Sequence, residues 1–227
     1  MANSVLVIAD SGTGKSTSIR TLDPTETFII NIANKPLPFK GWKSKYTQIT
    51  KDNPKGNFTS AATAPGIIKA MRHVNDKMGH IKTIVVDDWQ YMSSFEYFDR
   101  ANEKGYEKFT QIAANLAQVA KLPKDLREDL TIIFLTHSED STDINGNRKI
   151  KAKTVGKMID NTLTLEGLFS IVLFGKVNKN DDGELIYGFE TQNNGENTCK
   201  SPMGMFDDKF IDNDLQFVIS CIEEYNK

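Results

Sequence analysis

The chain has 227 residues, enough for one sizeable α/β core or two very small domains. Its 28 lysines and arginines against 30 acids leave a formal charge of −2, so any contact with nucleic acid must come from local patches and not from an overall basic field. Two cysteines, Cys199 and Cys221, exclude a disulfide framework and a cysteine zinc site; the three histidines are scattered, and no run approaches the ~20 apolar residues of a membrane span. The start Met1-Ala2-Asn3-Ser4 has no basic segment followed by an apolar one, so no secretory signal is expected and the chain is expected in a reducing cytosol.

The first predicted element is a short buried strand, Val5-Leu6-Val7-Ile8, running straight into Ala9-Asp10-Ser11-Gly12-Thr13-Gly14-Lys15-Ser16-Thr17. This fits the phosphate-binding loop G-x-x-x-x-G-K-[ST] everywhere except the first position, where Ala9 stands for glycine. Ser11, Gly12, Thr13, Gly14, Lys15, Ser16 and Thr17 are therefore the candidate nucleotide-binding residues. Gly12 and Gly14 allow the positive φ that turns backbone N–H groups toward phosphate oxygens. Lys15 has the reach for the β- and γ-phosphates, and Ser16 the hydroxyl for Mg²⁺. A short helix over Ser16–Leu22, stopped by Asp23-Pro24, would add its positive dipole end. The pattern implies a bound nucleoside triphosphate.

A second strand is expected at Phe28–Ile32, and a basic stretch follows from Asn34 to Lys55, with six lysines against Asp52. Its Phe39, Trp42 and Tyr46 either stack on unpaired bases or pin a long loop to the domain, the second being the better reading. Ala64–Met78 carries Ile67, Ile68, Met71, Val74 and Met78 at helical spacing before Gly79. Thr83-Ile84-Val85-Val86-Asp87-Asp88 reads as a central parallel strand ending in two acids at the edge where open α/β sheets bind ligands. Asp87 is the candidate Mg²⁺ partner with Ser16, and Asp88 the candidate to orient or deprotonate an attacking water.

Tyr106–Leu122 is the next helix, and Thr131-Ile132-Ile133-Phe134-Leu135 the next strand, leading into Thr136-His137 beside the Asp87 strand. His137 is placed to sense a γ-phosphate and to transmit its loss to the segment behind it. That segment, Ser138 to Lys157, begins acidic and ends with Arg148, Lys149, Lys151, Lys153 and Lys157, a candidate nucleic-acid contact; a solvated hairpin is the plain alternative. Ser170–Phe174 and Leu185–Glu190 read as two late strands joined by Asn180-Asp181-Asp182-Gly183, an antiparallel edge on the parallel core. Lys200 follows in Cys199-Lys200-Ser201-Pro202, and a last helix places Leu215, Val218, Ile219 and Ile222 on one face. Residues 1–227 thus predict a single α/β domain, a mostly parallel twisted sheet flanked by helices.

The Ala9–Thr17 loop, Val85-Val86-Asp87-Asp88, Leu135-Thr136-His137 and the stretch Cys199-Lys200-Ser201-Pro202-Met203-Gly204-Met205-Phe206 together resemble the compact RecA-like ATPases of phage recombination genes, including the Sak-type single-strand annealing proteins. The resemblance spans nearly the whole chain. It implies a RecA-like core using ATP, with no base-specificity motif in the residues themselves. It also implies ATP-dependent binding of single-stranded DNA, and annealing or strand exchange beside a single-strand-binding protein, by a homo-oligomeric ring or filament in the bacterial host cytosol. Under it, Lys200 would complete a neighbouring subunit's active site, and the loop after His137 would grip DNA. One departure stands out: RecA-type proteins place a catalytic glutamate just after the second strand, where this chain has Ile32-Ala33-Asn34-Lys35. No acid lies between Asn31 and Asp52, so slow or assembly-dependent hydrolysis is expected. Two other classes fit a phosphate-binding loop, a nucleotide-gated interaction module and a small-molecule kinase; the few, unclustered arginines disfavour the second.

Overall fold

Alternating buried strands and amphipathic helices build a three-layer α/β fold in the computed structural model, which describes residues 1–142, 146–155 and 163–227. The strands are β1 (Asn3–Ala9), β2 (Thr27–Asn31), β3 (Phe58–Thr59), β4 (Thr83–Asp87), β5 (Thr131–Thr142), β6 (Arg148–Ala152), β7 (Ile171–Lys179), β8 (Leu185–Glu190) and β9 (Phe210–Asp212). The helices are α1 (Trp42–Lys45), α2 (Ala64–Lys77), α3 (Gln90–Asp99), α4 (Glu107–Lys121) and α5 (Leu215–Tyr225). The sheet order is β3-β2-β4-β5-β1-β7-β8-β9, with β6 paired to β5 outside that path. From β3 to β7 every pairing is parallel; β7–β8, β8–β9 and β5–β6 are antiparallel.

Successive residues of the central strands divide between two cores, as the two-residue period of a strand requires. Leu6, Ile8, Ile84, Val86, Ile132 and Phe134 face one side, where Ile67, Met71 and Val74 of α2 and Ile112, Leu116 and Val119 of α4 cover them. Val5, Val7, Val85, Ile133 and Leu135 face the other, covered by Leu215, Val218, Ile219 and Ile222 of α5. Both faces are therefore dry, which is why these strands read as unbroken apolar runs and not as alternating ones. Trp89, fully buried, packs against Phe134 and Phe169 at ring centroid distances of 4.7 and 6.0 Å and closes the first core beneath the end of β4. Helix starts carry local caps: the Thr63 hydroxyl accepts from the Gly66 N–H at α2, and the Asp214 carboxylate from the Phe217 N–H at α5.

Several elements depart from the sequence expectation. β5 runs seven residues past Leu135, because Ser138–Thr142 pairs antiparallel with Arg148–Ala152 to form a hairpin that rises off the sheet edge. The helix after the phosphate-binding loop is a six-residue 3₁₀ turn, Ser16–Thr21, whose Ser18 and Thr21 hydroxyls donate to the Lys15 and Ser18 carbonyls. Those hydroxyls compete with regular α-helical bonding, and so short an element brings little dipole to its N-terminus. α3, β3 and β9 carry no periodic signal of their own and take their form from neighbours. Among the described residues no helix is long and apolar enough to cross a membrane.

β8 and β9 meet at a close backbone approach: a Cβ on Gly188 would stand 2.3 Å from the Ile211 carbonyl oxygen and 2.5 Å from the Phe210 ring. Gly188→Ala is expected to cost about 2 kcal/mol, because the clash is with backbone that cannot swing away. A urea midpoint measured beside that of Gly183→Ala, whose site is open, checks the effect of crowding against that of glycine loss alone.

Candidate functional site

The parallel register brings four strand ends to one edge. Ala9 of β1 lies opposite His137 of β5 and Gly175 of β7, and Asn31 of β2 opposite Asp87 of β4. The side chain of Ala9 fits here because Gly175 has none: a Cβ on Gly175 would lie 2.8 Å from that of Ala9. The first position of the loop pattern has thus exchanged its glycine with the neighbouring strand. Beyond Ala9 the loop turns through Gly12 (φ 84°) and Gly14 (φ 88°), the left-handed region the pattern requires, and the Thr13 hydroxyl ties it to the Asp10 carbonyl at 2.8 Å.

Lys15 is buried, and its Nζ lies 2.6 Å from Asp88 Oδ1; the Ser16 hydroxyl donates to Asp87 Oδ1 at 2.8 Å. His137 Nε2 stands 3.5 Å from the same Asp88 oxygen. The residues read from the two motifs and from the end of β5 therefore converge on one cleft of about 610 Å³. Asp88 holds its place with φ 58°, an uncommon left-handed conformation for a residue with a side chain, which turns its carboxylate away from the strand and back over the loop.

A second lysine, unannounced by any motif, completes the arrangement. Lys35 Nζ lies 2.6 Å from Asp88 Oδ2 and 5.3 Å from the centre of the Tyr91 ring. Its backbone is fastened by Asn31, whose side-chain amide donates to the Lys35 carbonyl at 2.7 Å and accepts from the Lys35 N–H at 3.3 Å. A cation thus occupies the place where the family resemblance called for a glutamate. The far side of the loop is held by Asn213, a buried residue whose amide donates to the Gly14 carbonyl at 3.2 Å and accepts from Arg20 at 2.7 Å. Tyr187 of β8 packs beside Gly14 and lines the cleft opposite Asp88. Asn213 and Gly14 are 199 positions apart, a pairing no local pattern signals.

The charges explain one another. Burial works to raise the Asp88 carboxyl, but the His137 hydrogen bond, the Lys15 ammonium and Lys35 outweigh it and hold Asp88 well below the usual carboxylate range. Burial pushes the Asp87 carboxyl up, only partly offset by Lys15, so the two adjacent acids are driven apart. Burial works to lower the Lys35 ammonium, and the bond to Asp88 outweighs it, leaving Lys35 above its ordinary value. For a Mg²⁺–phosphate group the donor set fits: a hydroxyl and a buried carboxylate already 2.8 Å apart, hard oxygen donors, beside a loop whose Gly12 leaves open space where a Cβ would point.

The remaining predicted residues lie elsewhere. Lys200 is exposed and its backbone pairs with Val172, opposite Leu6 and so three residues back from the Ala9 edge; it does not line the cleft. In the hairpin, Arg148 Nε lies 2.8 Å from Asp140 and Lys151 Nζ 3.1 Å from Glu139, so the acidic start of the segment neutralises its basic end across the strand pair. Lys149 donates to the Gly195 carbonyl at 3.3 Å, and the Lys153 N–H to the His137 carbonyl at 2.8 Å. Lys157 lies outside the described residues.

A glycine-turned loop on a parallel sheet, with a buried lysine and a strand-end acid pair facing it, defines a phosphate-binding-loop nucleotide-binding domain. The chain belongs to the family described as AAA domain, whose sequence model matches residues 1–203. Membership supports nucleotide binding and ATPase-type chemistry in general; Asn213 lies beyond the matched span. No curated protein matches the chain.

The Asp88 cluster makes a stability prediction. A carboxyl lowered by folding contributes stability that is fully present above its unfolded value and is lost as pH falls toward the folded one. Asp88→Asn should destabilise the nucleotide-free protein by about 3–5 kcal/mol, because it leaves the buried Lys15 without a counter-charge. The difference from wild type should be constant above about pH 5 and narrow below it, as read from urea midpoints across that range.

Proposed function

We propose that the chain is an ATP-binding, Mg²⁺-dependent RecA-like ATPase of the phage recombination type, acting on single-stranded DNA to promote annealing or recombination. The observation that carries the nucleotide half is the convergence of Lys15, Ser16, Asp87 and Asp88 at the end of β1 and β4. Under this reading residues 1–227 work as one RecA-like unit. Gly12 and Gly14 present backbone N–H groups to the phosphates, and Ser11, Thr13 and Thr17 line or brace the same loop. Lys15 exchanges Asp88 for the β- and γ-phosphates, while Ser16 and Asp87 hold Mg²⁺. The ion, when bound, neutralises charge on the phosphates.

Asp88 keeps Lys35 and His137 as partners when Lys15 turns away, so it remains an ionised carboxylate. Such a group orients a water well and accepts a proton poorly, which favours slow turnover until an assembly rearranges it. His137, beside Asp88 and at the root of the hairpin, is the group placed to report the terminal phosphate to that hairpin. Lys200, facing away from its own cleft, is free to serve a neighbour's in a ring or filament. Arg148, Lys149, Lys151 and Lys153 of the hairpin, with Lys157, are the proposed DNA contacts. Arg148 and Asp140 are both exposed, and such pairs are worth at most about 1 kcal/mol, so a phosphate can replace the acid. A single-strand-binding protein is the proposed partner, in the bacterial cytosol.

One observation favours a second reading, a nucleotide-gated interaction module: the place of the expected glutamate is taken by Lys35, which grips Asp88. Steady-state hydrolysis with and without oligo-dT, beside binding of a fluorescent ATP analogue, separates the two. Stimulation by DNA is expected; tight nucleotide binding with no turnover in any condition would favour the module. Lys15→Ala should weaken nucleotide binding about ten- to a hundredfold, the worth of a charge-assisted contact, and abolish turnover.

A further inference from the structure

The connection between β2 and β3 spans residues 32–57, with only the one-turn α1 inside it. Loops of that length in a compact domain are uncommon and usually functional. This one is built, not slack. Pro36 and Pro38 restrict its entry, and Leu37 and Tyr46 are buried in the second core, with Phe39 and Trp42 packed against it. Trp42 lies on Phe58 at 5.9 Å, and Phe39 meets Tyr46 edge-on at 6.4 Å. Its two halves are stitched together by Asn57, which bonds the Lys45 carbonyl and the Thr47 N–H, and by Asn53, which bonds Thr47 and Gln48. The aromatic side chains are thus spent on holding the loop down and are not presented for base stacking.

What the loop presents instead is charge. Lys40, Lys43, Lys45, Lys51 and Lys55 are all exposed, against the single acid Asp52. Among the described residues Lys40, Lys45, Lys51 and Lys55 have no hydrogen-bond or ion-pair partner, and Lys43 has only the ring of Trp42, at 5.8 Å. The contrast with the hairpin is direct, since Arg148 and Lys151 there face Asp140 and Glu139. Five cations on a pinned frame, in a chain of formal charge −2, are a local field that the rest of the surface does not cancel. The loop's root is Lys35, 2.6 Å from Asp88, and Pro38 lines the nucleotide cleft, so the patch adjoins the site.

We propose that the β2–β3 loop is a binding surface for the phosphodiester backbone of nucleic acid, contacting phosphates without reading bases. The proposal rests on the DNA-binding part of the function proposed above and assigns its main electrostatic contact to this loop. Unpaired lysines release counterions on meeting phosphates, with no acid to displace first, so the loop should contribute more salt-dependent affinity than the hairpin.

The test is fluorescence anisotropy of labelled oligo-dT and of a labelled duplex over a salt series, using wild type, Lys40→Glu/Lys43→Glu/Lys45→Glu and Arg148→Glu/Lys149→Glu. Binding of the fluorescent ATP analogue and the thermal midpoint serve as controls on the cleft and the fold. The expected result for the loop variant is at least a tenfold loss of oligo-dT affinity, with the slope of log affinity against log salt shallower by about two, from three lost phosphate contacts. The hairpin variant should lose less, and nucleotide binding should be unchanged in both. Wild type that binds oligo-dT while the loop variant binds it equally well overturns the loop assignment alone. Wild type that binds no nucleic acid overturns the DNA reading with it. Binding to phosphatidylserine vesicles but to neither oligonucleotide overturns the choice of ligand. Stronger loss with the duplex than with oligo-dT would keep the surface and assign it to double strands.

Discussion

Asp88 is the charge on which the cleft is organised. Its carboxylate is buried at the end of β4, yet it receives Lys15 from the loop after β1, Lys35 from the loop after β2 and His137 from β5. No two of these groups come from the same element, so the cluster exists only if the parallel register of β2, β4, β5 and β1 is kept. The dependence runs both ways. Two ammonium groups near one edge of a dry sheet would repel and would favour an open edge; a buried carboxylate without them would be driven to its neutral form. The positive φ at Asp88 is the local cost of turning the carboxylate toward all three, and Trp89, locked among Phe134 and Phe169 directly behind it, supplies the packing that holds the backbone there.

The same cluster explains why the two neighbouring acids differ. Asp87 sits inside the strand and bonds the Ser16 hydroxyl, a neutral partner, so burial dominates it; Asp88, one residue on, is reached by full charges. Adjacent carboxylates driven in opposite directions can divide their labour, the first giving its oxygens to a hard cation and the second remaining ionised to orient what lies beyond. Lys35 gives that division a particular cast. By holding Asp88 from the side away from Lys15, it lets Lys15 depart without leaving the carboxylate uncompensated.

Much of this is legible in the residues. The β-branched runs Val5–Ile8 and Thr83–Val86 are buried on both faces and must sit centrally, and each ends in chemistry because parallel strands deliver their last residues to one edge. Gly12, Gly14, Lys15 and Ser16 are readable because a phosphate cradle demands left-handed turns, a reach and a hydroxyl at fixed spacing. The parts that escape are those made by contacts distant in sequence. Asn213 bonds Gly14, Asn31 positions Lys35, and Tyr187 closes the far wall; each is an unremarkable polar or aromatic residue until the fold brings its partner. α3 escapes for another reason: Gln90–Asp99 buries only Gln90, Met92 and Ser93, so its pattern lacks the apolar stripe that marks α2 and α4.

Basic segments show the same limit more sharply, because a run of lysines states a charge and not an environment. The segment 138–157 is basic only over its second half, and an antiparallel hairpin lays that half beside its acidic first half, pairing Thr142 with Arg148 and Glu139 with Lys151 in register. Folding there converts a charge gradient along the chain into ion pairs across it. The connection 32–57 has no acidic partner strand; its fold consumes the aromatic residues and two asparagines and leaves the lysines outside. Proximity in sequence to a phosphate sensor points to the first segment, whereas the balance of charge after folding points to the second. Affinity for a polyanion follows the charge that remains uncompensated, so the loop rooted at Lys35 and Asp88 is where nucleic-acid binding and the nucleotide cleft have the shortest path to one another.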